Sequence, residues 1–349
     1  MADMLMTDLH ENVKQHKKNY SDIKLLIENM SVYLQETLKK DITEVIESCF
    51  SSWDIISCST QHAAASIKML ADETKIHLKN ILMLQFFDQL FFKDTPDVPF
   101  TSHDVPFTSH DVPMDQLTES IQNANLGHCL AYVFYLNNSD GPLVSGQTWD
   151  IDPWFTPITP FYYGNSKVMT HSGIFGGPFV SRFGHGVTWT TLETTKCQDG
   201  IPTPILLYEL ANNTNSIEQV IEHEHSIIHS ASHGLAIVDN SNIIYLERNK
   251  DQISVTQQTA PVAHSNTYMY LTSSDCPRVD FSSLRIETIK QFLPQINNSK
   301  TLFRALKSAE NLWINPVGGQ SYPTQCAFMF IFDNFDIHYC YNNDSVFCY

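Results

Sequence analysis

The chain has 349 residues, 42% of them hydrophobic, with 38 Asp and Glu against 21 Lys and Arg for a formal net charge of −17. This length and composition suit a globular protein with a sizeable buried core. With no local basic patch, the acidic balance excludes nucleic acid or anionic lipid as a charge-matched partner. The N-terminus lacks a basic start followed by an apolar core, and no stretch reaches the roughly 18 apolar residues of a membrane span. A soluble cytoplasmic protein is therefore expected.

From about Asp8 to Phe92 the pattern is helical: Ile23, Leu26, Ile27, Val32, Leu34, Leu38, Ile42, Val45 and Ile46 recur at helical spacing with charges between them. A heptapeptide, DVPFTSH, then spans 97–103, repeats at 104–110 and begins again at Asp111. Its prolines hold their predecessors extended and forbid a helix, so an exposed linker that tolerates insertion is expected. The boundaries read as a helical region over 1–95, a Pro-containing linker over 96–124 and a core over 125–349.

Beyond Met114, CLAYVFYL, PLVSGQTWDI, HGVTWTTL, HGLAIVD, NIIYLER, DQISVTQ and TYMYLT read as strands between Gly, Asn and Asp turns. Helical patterns interrupt them around 204–228 and 282–296, with a shorter one near 301–309, and two or three strands close the chain. Helices followed by many strands with inserted helices point to an α+β layered fold. No glycine-rich phosphate loop occurs, so no nucleotide or other cofactor is indicated.

Eight cysteines, at 49, 58, 129, 197, 276, 326, 340 and 348, form no Cys-x-x-Cys pair, so a zinc ribbon is not indicated and reduced thiols are the default. Cys129 is distinguished by its setting at the head of a strand, after Gly127 and His128. A hairpin returns Gln147 and Asp150 beside it on the next strand. On these residues alone it is either a buried structural thiol or a nucleophile supported by an amide and a carboxylate.

The order Cys129, strand, Gly turn, strand, Gly146-Gln147-Thr148-Trp149-Asp150 resembles the cysteine acyltransferase family of the isopenicillin N acyltransferase type. More distantly it is similar to acid ceramidases and bile-salt hydrolases, all N-terminal-nucleophile hydrolases. GHGVTW (Gly184–Trp189), GIPTPILLYEL (Gly200–Leu210), SASHGLAIVD (Ser230–Asp239), AHSN (Ala263–Asn266) and SSLR (Ser282–Arg285) follow in the family's order, and HLKNILMLQFFDQL (His77–Leu90) resembles the helix before its processing loop. The resemblance implies a four-layer αββα sandwich made as a proenzyme and cut before the nucleophile. It implies Cys129 as nucleophile with its freed α-amine as base, Asp150 to orient that amine, Gln147 to line the acyl site, Asn266 to donate to the oxyanion, and Arg285. Coenzyme A thioester as acyl donor, and continued association of the two fragments, also follow from it. Departures are His128 where the family places Gly, Leu130 where it places Thr, and Thr148 where it places Asn.

Two further features stand apart from that set. His225, His229 and His233 lie four apart and on a continuous helix would stack three imidazoles on one face, the basis for an alternative metal-dependent hydrolase. The aromatic segment DPWFTPITPFYYG, with Trp149 before it and Trp154 and Phe155 within it, reads either as a packed loop or as the wall of an acyl pocket. His185, His264 and His338 sit in strand-like context as structural histidines. The chain thus reads as a thiol amidohydrolase or acyltransferase for small N-acylated amines, acyl-amino acids or conjugated peptides. The alternative from another class is an uncut binding or scaffold protein on the same fold.

Overall fold

The computed structural model describes residues 2–37, 39–92, 129–137, 141–151, 155–192, 198–272, 280–309, 311–314, 323–341 and 345–349. The DVPFTSH repeat, His128 and Trp154 lie outside these residues. The first region folds as α1 (Ala2–Lys18), α2 (Tyr20–Val32) running into a π turn (Tyr33–Thr37), α3 (Ile42–Ser51), α4 (Trp53–Ser59), α5 (Gln61–Thr74), α6 (Leu78–Gln85) and α7 (Phe87–Phe92). Local chemistry sets several of these ends. Asp41 starts α3 by accepting from the Thr43 N–H at 2.7 Å, which satisfies a backbone donor that has no partner within the helix.

The remaining elements are β1 (Leu130–Tyr135), β2 (Leu143–Asp150), β3 (Thr159–Tyr163), β4 (Ser166–Thr170), β5 (Phe179–Ser181), β6 (His185–Thr191), α8 (Thr203–Asn213), α9 (Ile217–Ser226), β7 (His233–Asp239), β8 (Ile243–Arg248), β9 (Ile253–Gln257) and β10 (Val262–His264). They are followed by α10 (Asp280–Phe292), a 3₁₀ turn (Leu293–Gln295), α11 (Ser299–Ser308), β11 (Thr324–Ile331), β12 (Asp336–Tyr341) and β13 (Val346–Cys348). One sheet runs β10-β1-β2-β11-β12-β13 and the other β3-β4-β5-β6-β7-β8-β9. Every pairing within them is antiparallel.

The sheets pack face to face, with β1 and β2 over β6 and β7. Helices α10 and α11 cover the outer face of the first sheet, where Tyr132, Phe134, Ala327 and Met329 meet Ile289, Leu302 and Leu306. The N-terminal helices with α8 and α9 cover the second, giving four layers, αββα. Every residue of β2 is buried, because β2 is central in its sheet and that sheet is covered on both faces.

One apolar cluster runs through both sides of the molecule, from Val13, Ile67 and Leu82 of the helices to Tyr208 of α8 and Trp149 and Phe328 of the first sheet. Polar pairs cross the same boundary. Asn12 Nδ2 donates to Tyr208 Oη at 2.9 Å, and Gln85 Nε2 donates to the Gly173 carbonyl at 2.7 Å. Gly176 lets α8 come this close, since a Cβ there would stand 1.7 Å from the Pro204 carbonyl oxygen.

Three expectations change. The aromatic segment is not loop throughout: Thr159–Tyr163 is β3, and its Pro160 is tolerated because β3 is an edge strand among the described residues, its outer side met by the Gln15 side chain at Tyr162 instead of by another strand. Strands β4 and β5 were hidden by their shortness. TYMYLT is not a strand: residues 265–272 form an irregular strap.

Glu209 ties the helical layer to α8 and carries a pH signature. Its Oε1 accepts the Ala63 N–H at the start of α5 at 2.7 Å, and burial raises its pKa from 4.5 to about 7 against that bond and one from Asn213. A raised carboxyl contributes stability that is complete below its unfolded value and lost as pH rises through about 7. Glu209→Gln keeps the acceptor and removes the titration. The stability of wild type relative to this variant is expected to fall by on the order of 3 kcal/mol between about pH 4.5 and about pH 8, read from urea unfolding midpoints.

Candidate active site

Cys129 stands immediately before β1. The register Leu130↔Thr148 and Ala131↔Gln147 sets it across from Trp149. Antiparallel partners share a face, so the thiol turns with Gln147 and Trp149 toward the second sheet, while Thr148 and Asp150 turn toward α10. The residue is half-buried. Burial above all, then the Asp150 carboxylate, pushes the thiol up to about 12, against the Asp150 backbone, Arg285 and the Gln147 amide, which favour its ionised form.

Gln147 is fixed at one end only. Its Oε1 accepts from the Trp189 N–H at 2.9 Å, and its Nε2 end faces the Cys129 thiol, whose ionised form it favours. Since only a carbonyl oxygen can accept from that N–H, the amide donor is the end left over.

On the other face of β2, Asp150 Oδ2 lies 2.7 Å from Arg285 Nη1, with both side chains fully buried. Arg285 Nη2 donates to Thr148 Oγ1 and to the Leu312 carbonyl, each at 3.1 Å. Thr148 Oγ1 also accepts from the Leu130 N–H at 3.2 Å, linking this pair to the first residue of β1. Burial raises the Asp150 pKa above its ordinary value, opposed first by Arg285 and then by neighbouring hydroxyls. Among the described residues its Oδ1 closes no hydrogen bond, leaving a buried acceptor beside the N-terminal end of β1.

Two residues after β10 complete the arrangement. Ser265 Oγ donates to the Cys129 carbonyl at 2.7 Å, a contact that sequence reasoning missed because a lone serine carries no spacing signal. Asn266 Nδ2 donates to the Thr191 carbonyl at 2.7 Å, which fixes the amide orientation and leaves its second N–H available, while Oδ1 is unpartnered.

Cys129, Gln147, Asp150 and Arg285 thus stand together at the head of β1, and Asn266 follows directly on the serine that holds the Cys129 carbonyl. Trp149, across from Cys129, and Phe155 belong to a buried aromatic cluster. Trp149 packs edge-on to Trp189 at 5.5 Å, and Phe155 packs on Phe87 at 5.6 Å and His171 at 5.2 Å.

His225, His229 and His233 do not converge, because α9 ends at Ser226 and the helical period stops with it. His225 is exposed, and Glu224 takes the inward position. Its carboxylate oxygens meet His229 Nε2 at 2.9 Å and His233 Nε2 at 3.0 Å, all three groups being buried. These donor types suit a divalent metal, with ligand atoms of Glu224, His229 and His233 within 4.8 Å of one another, and the His233 contact is a direct hydrogen bond. Arg248 stands beside them, donating Nη1 to the Glu224 carbonyl at 2.6 Å. The Glu224 carboxyl, despite its burial, is held well below the usual carboxylate range by His229 and His233, and burial keeps His229 below its ordinary value. The cluster is a hydrogen-bonded clamp between α9 and β7, and the three-histidine metal site is not formed.

Two stacked antiparallel sheets between helical layers, with a cysteine at the head of a central strand, make this the αββα fold of the N-terminal-nucleophile hydrolases. Among solved structures, a mutant of conjugated bile acid hydrolase from Clostridium perfringens matches over 63% of this chain and 92% of its own, at 12% identity and TM-score 0.50. Penicillin V acylase from Agrobacterium tumefaciens matches over 63% and 85%, at 11% identity and TM-score 0.47. No family model matches the chain. No curated protein matches it in sequence.

The Asp150–Arg285 pair sets a test of the site's energetics. Arg285→Leu leaves a buried carboxylate without its cation and is expected to cost about 3–5 kcal/mol in urea unfolding. Replacing Asp150 by Leu as well should recover part of that loss.

Proposed function

We propose that this chain is a thiol-dependent amidohydrolase, made as a proenzyme and cut between His128 and Cys129. Its substrates on this reading are small N-acyl amines, acyl-amino acids or conjugated peptides. The observation that carries it is the setting of Cys129, whose thiol is acted on by the Asp150 carboxylate, Arg285 and the Gln147 amide, and whose carbonyl is held by Ser265, the residue before Asn266. These stand on a fold shared with a bile acid hydrolase.

In the maturation step the Cys129 sulfur attacks the carbonyl carbon of residue 128. The C–N bond breaks as the thioester forms, the amine takes up a proton, and water then releases the upstream segment. Afterwards the α-amine, with an ordinary pKa of roughly 7.7 to 8.0, can receive the thiol proton at neutral pH. The uncommitted Oδ1 of Asp150 stands ready to accept a hydrogen bond from it. The free N–H groups of Asn266 and Gln147 are donors for the oxygen on which charge develops. Transfer of the acyl group to an amine, or its receipt from a coenzyme A thioester as in acyltransferases of the isopenicillin N type, uses the same thioester with a different partner. A second reading, an uncut binding protein, is favoured by the thiol pKa of about 12, which makes Cys129 a poor nucleophile before any cut.

Intact mass and N-terminal sequencing decide between them. Two polypeptides are expected, the second beginning at Cys129, and a single chain for Cys129→Ala. A wild-type protein that stays whole and hydrolyses none of these amides sinks the hydrolase reading. Before cleavage, alkylation of Cys129 by iodoacetamide at about pH 8 should run about a thousandfold slower than for an ordinary thiol, because the thiolate fraction falls tenfold per pKa unit. The exposed Cys58 and Cys348 serve as internal references.

A further inference from the structure

Residues 264–271 cross from the first sheet back to the second, and their conformation is dictated from β8. Three successive backbone donors converge on one carboxylate: Met269 N–H reaches Glu247 Oε1 at 2.6 Å, while Tyr270 and Leu271 N–H reach Oε2 at 2.8 Å each. In a strand, successive N–H groups point to opposite sides, so this convergence is incompatible with the strand that TYMYLT suggests. Glu247 has no solvent exposure. A buried carboxylate accepting three N–H groups forms charge-assisted bonds, among the stronger kinds available to a protein.

Tyr245 lies two residues before Glu247 and so on the same face of β8. Its ring stacks on His264 at 3.3 Å with the planes 5° apart, and His264 Nδ1 lies 3.2 Å from the Met269 sulfur. One face of β8 thus grips both ends of the strap. Between the grips sit Ser265, on the Cys129 carbonyl, and Asn266, on the Thr191 carbonyl. The strap also walls a cavity of about 280 Å³ against α10, lined by Thr267, Met269, Ser283, Ile286 and Lys290 among others.

We infer that Glu247 is a positioning residue for acyl transfer at Cys129: by binding the amides of 269–271 it sets the place of the Asn266 donor, without touching the reacting atoms itself. The role rests on the hydrolase reading above. Glu247→Gln replaces one acceptor oxygen by an amide NH₂ group that faces backbone donors, so at least one of the three bonds is lost and the strap loosens. A displaced donor weakens charge stabilisation in the transition state and leaves ground-state binding largely intact, as an error of about 1 Å can cost roughly a hundredfold in rate.

The test uses the full-length protein with a fluorogenic N-acyl aminocoumarin amide. Glu247→Gln is expected to lower kcat by about 10- to 100-fold with KM changed by less than about threefold. In an Asn266→Ala background it should lower kcat no further, since both changes remove the same donor. Amides 269–271 should exchange hydrogen faster in Glu247→Gln, a readout independent of activity, and Glu247→Asp, which keeps the charge, should recover part of the rate. Losses that multiply in the double variant, a change confined to KM, or unaltered amide exchange each overturn the positioning role alone. Failure of both Glu247 variants to fold assigns the residue to stability and overturns it as well. Absence of turnover by wild type overturns the hydrolase reading, and this role with it.

Discussion

A carboxylate and a guanidinium meet with no solvent exposure beneath the head of β1, and the geometry of the cysteine depends on that meeting. Desolvating two charges costs several kcal/mol each, and the cost is offset only when geometry and additional hydrogen bonds are good. Thr148 and the Leu312 carbonyl provide those bonds on the Arg285 side. On the Asp150 side the Thr148 and Thr324 hydroxyls add to the Arg285 contact, while Oδ1 has no partner among the described residues. Because Thr148 also holds the Leu130 amide, the charge pair, the strand pairing and the backbone next to the nucleophile form one connected unit.

The two faces of β2 divide the labour. Gln147 and Trp149 look into the layer between the sheets, while Thr148 and Asp150 look toward α10, so a motif that is contiguous in sequence is split by the strand period of two. Gly146 makes the strand's other close approach possible: a Cβ there would stand 2.3 Å from the Phe328 carbonyl oxygen and 2.5 Å from the Tyr132 ring. The site is thus assembled from β2 and from what reaches it, namely Arg285 from a helix on one side and Asn266 from a strap on the other.

Much of this was legible in the sequence, for physical reasons that can be named. The hairpin from Cys129 to Asp150 is local, and its alternation and turn residues give both strands and their partnership. The N-terminal helices were readable because their apolar faces repeat at helical spacing. Asn266 and Arg285 could be tied to Cys129 only by resemblance, since no local pattern records a contact across more than a hundred residues. The strap was misread because Thr267, Tyr268, Tyr270 and Leu271 are good strand formers, and the Glu247 carboxylate that overrides them lies on another element. The break in the histidine series was legible too, because HGLAIVD reads as a strand and so ends the helical pattern before His233.

The shared packing of helices and sheets has a further consequence. Asn12 bonds Tyr208, His16 bonds Tyr163, Gln85 bonds Gly173 and Glu209 receives Ala63, all across the boundary between the segment before Cys129 and the segment after it. Side-chain contacts thus join the segment before Cys129 to the segment after it independently of the peptide bonds along the chain. Contacts of this kind are the ones that subunits of a complex rely on. Were the backbone broken between the two segments, these bonds and the shared apolar cluster would be what is left to hold them together.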